Sequence, residues 1–330
     1  MTARAAVAAM TAYTLELREA EIKLNQNESP FDFPFKDEAL AAIAKRAWNI
    51  YPDFESTELR TALANAYALT PENVLVGNGS NELLAAAVGA FVGPGTPVVF
   101  ARPTFALYEK LVTIAGGLPV PIDLDPATGL LPLEVMLEKL ATLRDTVAIV
   151  CSPNNPTGGV LPAGGIDRLL ATGATVLFDR AYGDFALDEL PPLHDRLVTF
   201  STFSKAWGLA ALRIGWLAST AATCREIRKV KLPYSLNVIS EAIAALALEN
   251  RAIRDVNVAR IIAERERMLA AMGDLAFPSR ANFIAFRSHA TFEGFLARSI
   301  LVRKYADFLR VSVGTREQND AFLAALREFA

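Results

Sequence analysis

The chain has 330 residues, 52% of them hydrophobic and 21% charged, enough to enclose a large core as two domains or one large α/β unit. Its net charge of −3, with arginines and lysines scattered rather than striped, excludes an electrostatic footprint for nucleic acid and leaves small molecules as the expected partners. Two distant cysteines, Cys151 and Cys224, and two histidines without ligand spacing, His194 and His289, exclude a disulfide framework, a zinc site and a histidine-based triad.

The opening MTARAAVAAMTAY is too short and too weakly apolar for a secretory signal, and reads as a cytoplasmic N-terminus that becomes ordered by docking. The longest nearly unbroken apolar run, Leu83 to Gly93, falls well short of the roughly 20 residues a membrane span needs, so no membrane partner is expected. Short β-branched runs then recur at Val74–Val76, Pro97–Phe100, Pro119–Ile122, Val147–Val150, Thr175–Phe178, Val198–Phe200 and Ile214–Ala218. Amphipathic stretches separate most of them. This alternation predicts an α/β fold with a doubly wound, mostly parallel seven-stranded sheet, whose ligands collect beyond the strands' carboxyl ends.

After about residue 220 the pattern changes. Helices are predicted over Thr223–Lys231 and Ser240–Met272, short strands around Asn282–Phe286, Ile300–Arg303 and Leu309–Val313, and a last helix from about Arg316. The division expected is a large domain over 37–237 and a smaller α+β domain built from 1–36 and 238–330.

Four loops at predicted strand ends carry polar clusters. Gly77-Asn78-Gly79-Ser80-Asn81-Glu82 opens a helix, and its glycines allow the tight turn that aims free amides at an anion; ordinary turns also use Gly-Asn-Gly. Cys151 through Gly159 contains two prolines and two glycines, a rigid loop that would fix the amide of Asn155 at the sheet edge. Asp179 ends an apolar strand, where a partly buried carboxylate needs a partner. A protonated pyridine nitrogen is one such partner; a helix cap or a salt bridge to Arg180 is the plain alternative. Lys205, in Ser201-Thr202-Phe203-Ser204-Lys205, is flanked by hydroxyls and followed eight residues later by Arg213. That suits a cofactor held covalently by its aldehyde and ionically by its phosphate, and pyridoxal 5'-phosphate has both handles.

The set Asn155-Pro-Thr-Gly, Asp179-x-Ala-Tyr182, Thr202-x-x-Lys205 and Arg213, in this order and spacing, resembles the fold type I aminotransferases that use pyridoxal phosphate, over nearly the whole chain. Within that superfamily the segments Leu24–Pro30, Tyr51-Pro52, Cys151–Gly158, Leu232–Asn237 and Leu309–Thr315 are most similar to the histidinol-phosphate aminotransferases. The resemblance implies that Lys205 carries the cofactor and moves the substrate's α-proton, that Asp179 holds the pyridinium, and that Asn155 and Tyr182 bond its phenolic oxygen. By the same likeness Phe105 would stack on the ring, and Gly79, Ser80, Asn81, Thr202, Ser204 and Arg213 would bind the phosphate. Tyr51 would reach the phosphate from a second subunit, which implies a homodimer with active sites at the interface. Arg310 would take a substrate carboxylate and Arg303 a distal anion, with Asn27, Tyr234 and Asn237 lining the pocket. The implied partners are an amino-acid-like amino donor and a 2-oxo acid acceptor.

Three departures from that pattern bear on the substrate: Arg180 where glutamate is usual, Ala211 where glycine is common, and a short segment between Arg303 and Arg310. They predict a reshaped pocket. Besides histidinol phosphate with glutamate and 2-oxoglutarate, the readings kept open are an aminotransferase for an aromatic or unusual amino acid, a decarboxylase of a phosphorylated amino acid such as threonine phosphate, and a non-catalytic binding module.

Overall fold

The computed structural model describes residues 2–12 and 18–329; Met1, residues 13–17 and Ala330 lie outside them, and with them part of the expected N-terminal docking segment. The chain enters through a short helix, α1 (Ala5–Ala8), and a two-residue strand, β1 (Ile22–Lys23). Helices α2 (Lys36–Ala44) and α3 (Thr57–Ala66) follow.

All seven predicted sheet strands are present: β2 (Val74–Asn78), β3 (Pro97–Arg102), β4 (Leu118–Asp123), β5 (Val147–Cys151), β6 (Thr175–Asp179), β7 (Leu197–Thr202) and β8 (Ile214–Ala218). Helices α4 (Ser80–Phe91), α5 (Leu107–Ala115), α6 (Leu133–Ala141), α7 (Gly165–Ala171) and the one-turn α8 (Gly183–Ala186) connect β2 through β7 in turn. The sheet order is β2-β8-β7-β6-β5-β3-β4, and β8 alone runs against its neighbours, because no crossover helix separates it from β7.

Strand alternation builds the layers. Val98 and Phe100 of β3 face a core shared with α4 and α5, while Val99 and Ala101 face another shared with α6 and α7. Every residue of β5, β7 and β8 is buried, as covered central strands require.

Beyond the sheet, α9 (Ala221–Arg228) starts at Thr220, whose hydroxyl accepts from the amide of Thr223. The single helix expected over Ser240–Met272 is instead two, α10 (Val238–Glu249) and α11 (Arg251–Met272). The break is Asn250, which leaves the helical region at φ −106° and ψ 32° and whose side-chain amide adds a second donor to Leu246 O. Then come β9 (Phe283–Phe286), α12 (Phe292–Leu296), β10 (Ile300–Leu301), β11 (Arg303–Lys304), β12 (Leu309–Ser312) and α13 (Arg316–Arg327). β12 pairs between β11 and β9, and β10 pairs with β1, which ties residues 22–24 to the C-terminal region. One apolar core runs from Val76 and Trp216 of the sheet through α10 to Phe283 and Phe322. Helix α10 itself packs on α2 and α3.

Candidate active site

Because β2, β3, β5, β6 and β7 are mutually parallel, their carboxyl ends open on one edge, and a cavity of about 500 Å³ lies there. Its walls are the four loops singled out in the sequence together with residues 25–28, the β3–α5 segment around Phe105 and the β11–β12 hairpin.

At one pole sits the N-terminus of α4. Gly79 adopts φ +79°, and a Cβ there would stand 2.5 Å from Arg213 Nη2; a Cβ on Gly215 would meet Ser80 N at 2.1 Å. Side chains are excluded so that backbone and guanidinium can close on one small space, and the first-turn amides of α4 suit an anion in it. Arg213 donates to Ser204 Oγ at 3.3 Å and Ala210 O at 3.2 Å. Asn81, Ser80 and Ser204 line the same pole. Thr202 also lines it, with its hydroxyl already donating to Ile214 O (3.2 Å) and accepting from Ser204 N (3.0 Å).

Elsewhere on the cavity wall Asp179, 8% exposed, accepts from the Tyr108 hydroxyl at 2.7 Å and from the Ala181 amide at 2.9 Å. Burial raises its pKa above the ordinary carboxylate value, opposed by those two donors. Tyr108 was not singled out in the sequence. It lies on the apolar stripe of α5 with Val112, fully buried, and only the need of a buried hydroxyl for a partner hints at its role. Phe105 meets Tyr108 edge to face at 5.7 Å and forms the adjoining wall. The salt bridge considered between Asp179 and Arg180 does not form: Arg180 turns beneath α8, 3.6 Å from Asp184, and donates to Asp188 O.

In the same cavity the Tyr182 hydroxyl accepts from Asn27 Nδ2 at 3.1 Å and Asn155 Nδ2 at 3.3 Å. The loop that holds Asn155 closes through Asn154 N to Gly159 O and Gly158 N to Asn154 O, both 2.7 Å. Lys205 Nζ donates to the carbonyls of Gln26 (3.0 Å) and Asn27 (3.1 Å). Desolvation pushes its pKa down to about 8, with Arg310 and Arg213 acting the same way and Glu28 opposing them. With that value about a tenth of the amine is neutral at pH 7, several hundred times the share left by an unperturbed lysine.

Arg310, 4% exposed, donates to Asn155 Oδ1, to the Tyr305 hydroxyl at 3.0 Å and to Asn25 O at 2.8 Å, while its Nε has no partner. No carboxylate among the described residues pairs with it. A guanidinium buried without a counter-ion beside a reactive amine is poised for an incoming anion. Arg303 stands directly opposite Arg310 in the strand register, and it too lines the cavity. Tyr51 and Tyr234 do not. They stack on each other at 4.7 Å outside it, and Asn237 caps α10 by accepting from Ser240 N.

Taken together, an anion cradle, a buried carboxylate and a lysine lining one cavity fit a planar pyridine bearing an aldehyde and a phosphate. Residues 19–326 match the family described as aminotransferase class I and II. A histidinol-phosphate aminotransferase of Thermococcus gammatolerans is 37% identical over 320 residues, 94% of this chain and 92% of that protein. Another, of Aquifex aeolicus, is 35% identical over 343 residues, 97% of this chain and 95% of that one. Among solved structures, histidinol-phosphate aminotransferase from Sinorhizobium meliloti in complex with pyridoxal-5'-phosphate has a TM-score of 0.86 at 26% identity, covering 98% of this chain and 96% of that one.

Proposed function

The chain belongs to the class I and II aminotransferases, and from that premise we propose that it is a pyridoxal-phosphate enzyme exchanging an amino group between histidinol phosphate and the glutamate/2-oxoglutarate pair. The observation that carries this reading is Arg310, buried and without a carboxylate, in the same cavity as Lys205 and Asp179. The cavity's cations are Lys205, Arg213, Arg303 and Arg310, so with Arg213 committed to a cofactor phosphate, Arg303 and Arg310 remain to receive an anionic substrate.

When bound, pyridoxal phosphate supplies an electron sink for the pair left behind when the substrate's α-proton departs. The residues do the rest. The amides of Ser80 and Asn81, with Arg213 and Ser204, would hold the phosphate. Asp179, oriented by Tyr108, would keep the ring nitrogen protonated. Asn155 Nδ2 and the Tyr182 hydroxyl would bond the ring oxygen, and Phe105 would stack on the ring. Lys205 Nζ, a base of suitable strength near neutral pH, would take the α-proton and deliver it to the cofactor's aldehyde-derived carbon, on the far side of the amino nitrogen. Arg310 orients the substrate through its anion. Asn27, bonded to Tyr182, positions that hydroxyl.

A screen of amino donors against 2-oxoglutarate tests the reading. Histidinol phosphate should be the best donor; carbon dioxide released from threonine phosphate, with glutamate leaving the cofactor's spectrum unchanged, would favour a decarboxylase. Arg310→Ala should raise KM for glutamate about 10- to 100-fold, the worth of hydrogen bonds to a charged group, while cofactor affinity changes by less than about threefold. Equal loss of both, read from steady-state kinetics and cofactor titration, would make Arg310 structural.

We read the chain further as a homodimer. Tyr51, 79% exposed, stacks on Tyr234 amid exposed Trp48, Ile50, Phe54 and Leu232, a cluster suited to a subunit contact that brings Tyr51 to a partner's phosphate pole. Sedimentation at the monomer mass would remove this. The same reading keeps a cofactor domain over 37–237 and a smaller domain of 1–36 and 238–330, with α10 bridging the two, in a cytoplasmic protein. Two buried free thiols are compatible with a reducing compartment, and no helix of the described residues is long and apolar enough to cross a membrane.

A further inference from the structure

The hairpin joining Arg303 to Arg310 forms one wall of the cavity. Its strands pair Arg303 with Arg310 and Lys304 with Leu309, and Tyr305 N donates to Phe308 O at 3.0 Å, which leaves Ala306 and Asp307 as the tip. Side chains two apart on a strand, and those directly opposite across an antiparallel pair, share a face. Arg303, Tyr305, Phe308 and Arg310 therefore lie on one side, and three of them line the cavity.

Tyr305 is held there at both ends. Its ring stacks on Phe308 at 4.9 Å and 15°, and Phe308 in turn meets Phe277 edge to face at 5.6 Å. Its hydroxyl oxygen accepts from Arg310 Nη1 at 3.0 Å. Having accepted from the guanidinium, that hydroxyl must turn its own proton away from Arg310, and among the described residues nothing accepts it. A neutral donor is thus parked beside a buried cation that lacks an anion.

From this arrangement we infer that Tyr305 is a substrate-contacting, specificity-determining residue whose hydroxyl donates to the anionic group seated on Arg310. The inference rests on the aminotransferase reading only for the identity of that anion. Tyr305 adds a directed hydrogen bond where the two arginines supply charge, and it therefore favours carboxylate or phosphate oxygens over a neutral side chain of the same size.

The test uses the holoenzyme and an unreactive anion, glutarate, titrated by calorimetry. Tyr305→Phe keeps the ring and its stacking and should weaken glutarate about tenfold, raise KM for glutamate by a similar factor, and leave kcat within about twofold. Melting temperature and cofactor affinity should not move. Glutarate affinity unchanged within twofold would overturn the inference. A second arm separates direct contact from mere support of the guanidinium: in an Arg310→Lys background the tyrosine change should still weaken glutarate, whereas no further loss would mean that Tyr305 acts only through Arg310, and would also overturn it. Failure of glutamate to aminate the wild-type cofactor would instead strike the aminotransferase reading, since glutarate binding does not depend on turnover.

Discussion

Lys205→Ala should yield a folded protein that no longer retains pyridoxal phosphate covalently and whose transamination falls by roughly 10⁴-fold or more, because one side chain supplies both the attachment and the proton transfer. Borohydride reduction followed by mass measurement is the direct check: the wild type should gain a stable cofactor adduct and the variant none. An adduct of undiminished yield in the variant would move the attachment to another lysine. The same amine has a pH signature. Its folded pKa of about 8 lies below the ordinary lysine value, so between about pH 8 and 10.5 the unfolded apoprotein holds a proton that the folded one has released. Stability gained from this group therefore rises with pH across that window and is lost as pH falls through 8. Lys205→Met should remove that rise from apoprotein melting curves. Capture of added cofactor by the wild type should speed up with pH and level off near 8.

Asp179→Asn should separate two quantities that ordinary destabilisation lowers together. Removing one partner of a buried charge pair commonly costs about 3–5 kcal/mol, equivalent to a fall in kcat of roughly 10²- to 10⁴-fold here, with weaker cofactor binding. Without cofactor the sign reverses. Burial raises the folded pKa of Asp179, so its contribution is favourable at low pH and is lost as pH climbs from the unfolded value through the folded one; at neutral pH the buried carboxylate is a burden on the apoprotein. The asparagine variant should accordingly melt at the same temperature as the wild-type apoprotein or higher. Calorimetry of apo and loaded forms decides it. A large drop in apo stability would show that the bonds from Tyr108 and Ala181 hold the fold rather than the site.

What the sequence made legible follows from how local the physics is. Runs such as Val147–Val150 and Thr175–Phe178 are apolar and β-branched because they are central strands, so the sheet could be counted and its ligand edge located. Lys205, Asp179 and Asn155 sit where those strands end, and their spacing carried the resemblance. Other features depend on contacts distant in the chain. Tyr108 lies 71 positions from Asp179 and reads as one more core residue of α5. The direction taken by Arg180 is set by Asp184 and Asp188 under α8, which no spacing encodes. Asn250 breaks a helical stretch whose apolar periodicity runs on past it, since the pattern reports burial and not the backbone angles at one residue. The packing of α10 on α2 and α3 likewise joins segments that composition alone assigns to different halves.

The two-residue tip at Ala306–Asp307 has a consequence for how such a pocket can change. Facing positions on a strand repeat every second residue, so a single residue inserted between Arg303 and Tyr305, or between Phe308 and Arg310, would turn a side chain to the opposite side, whereas one inserted at the tip would only lengthen the turn. Adding residues in pairs would keep the parity and lengthen the arm. Substrate range at this end is thus governed by where along the hairpin a length changes, and by the parity of that change, as much as by residue type.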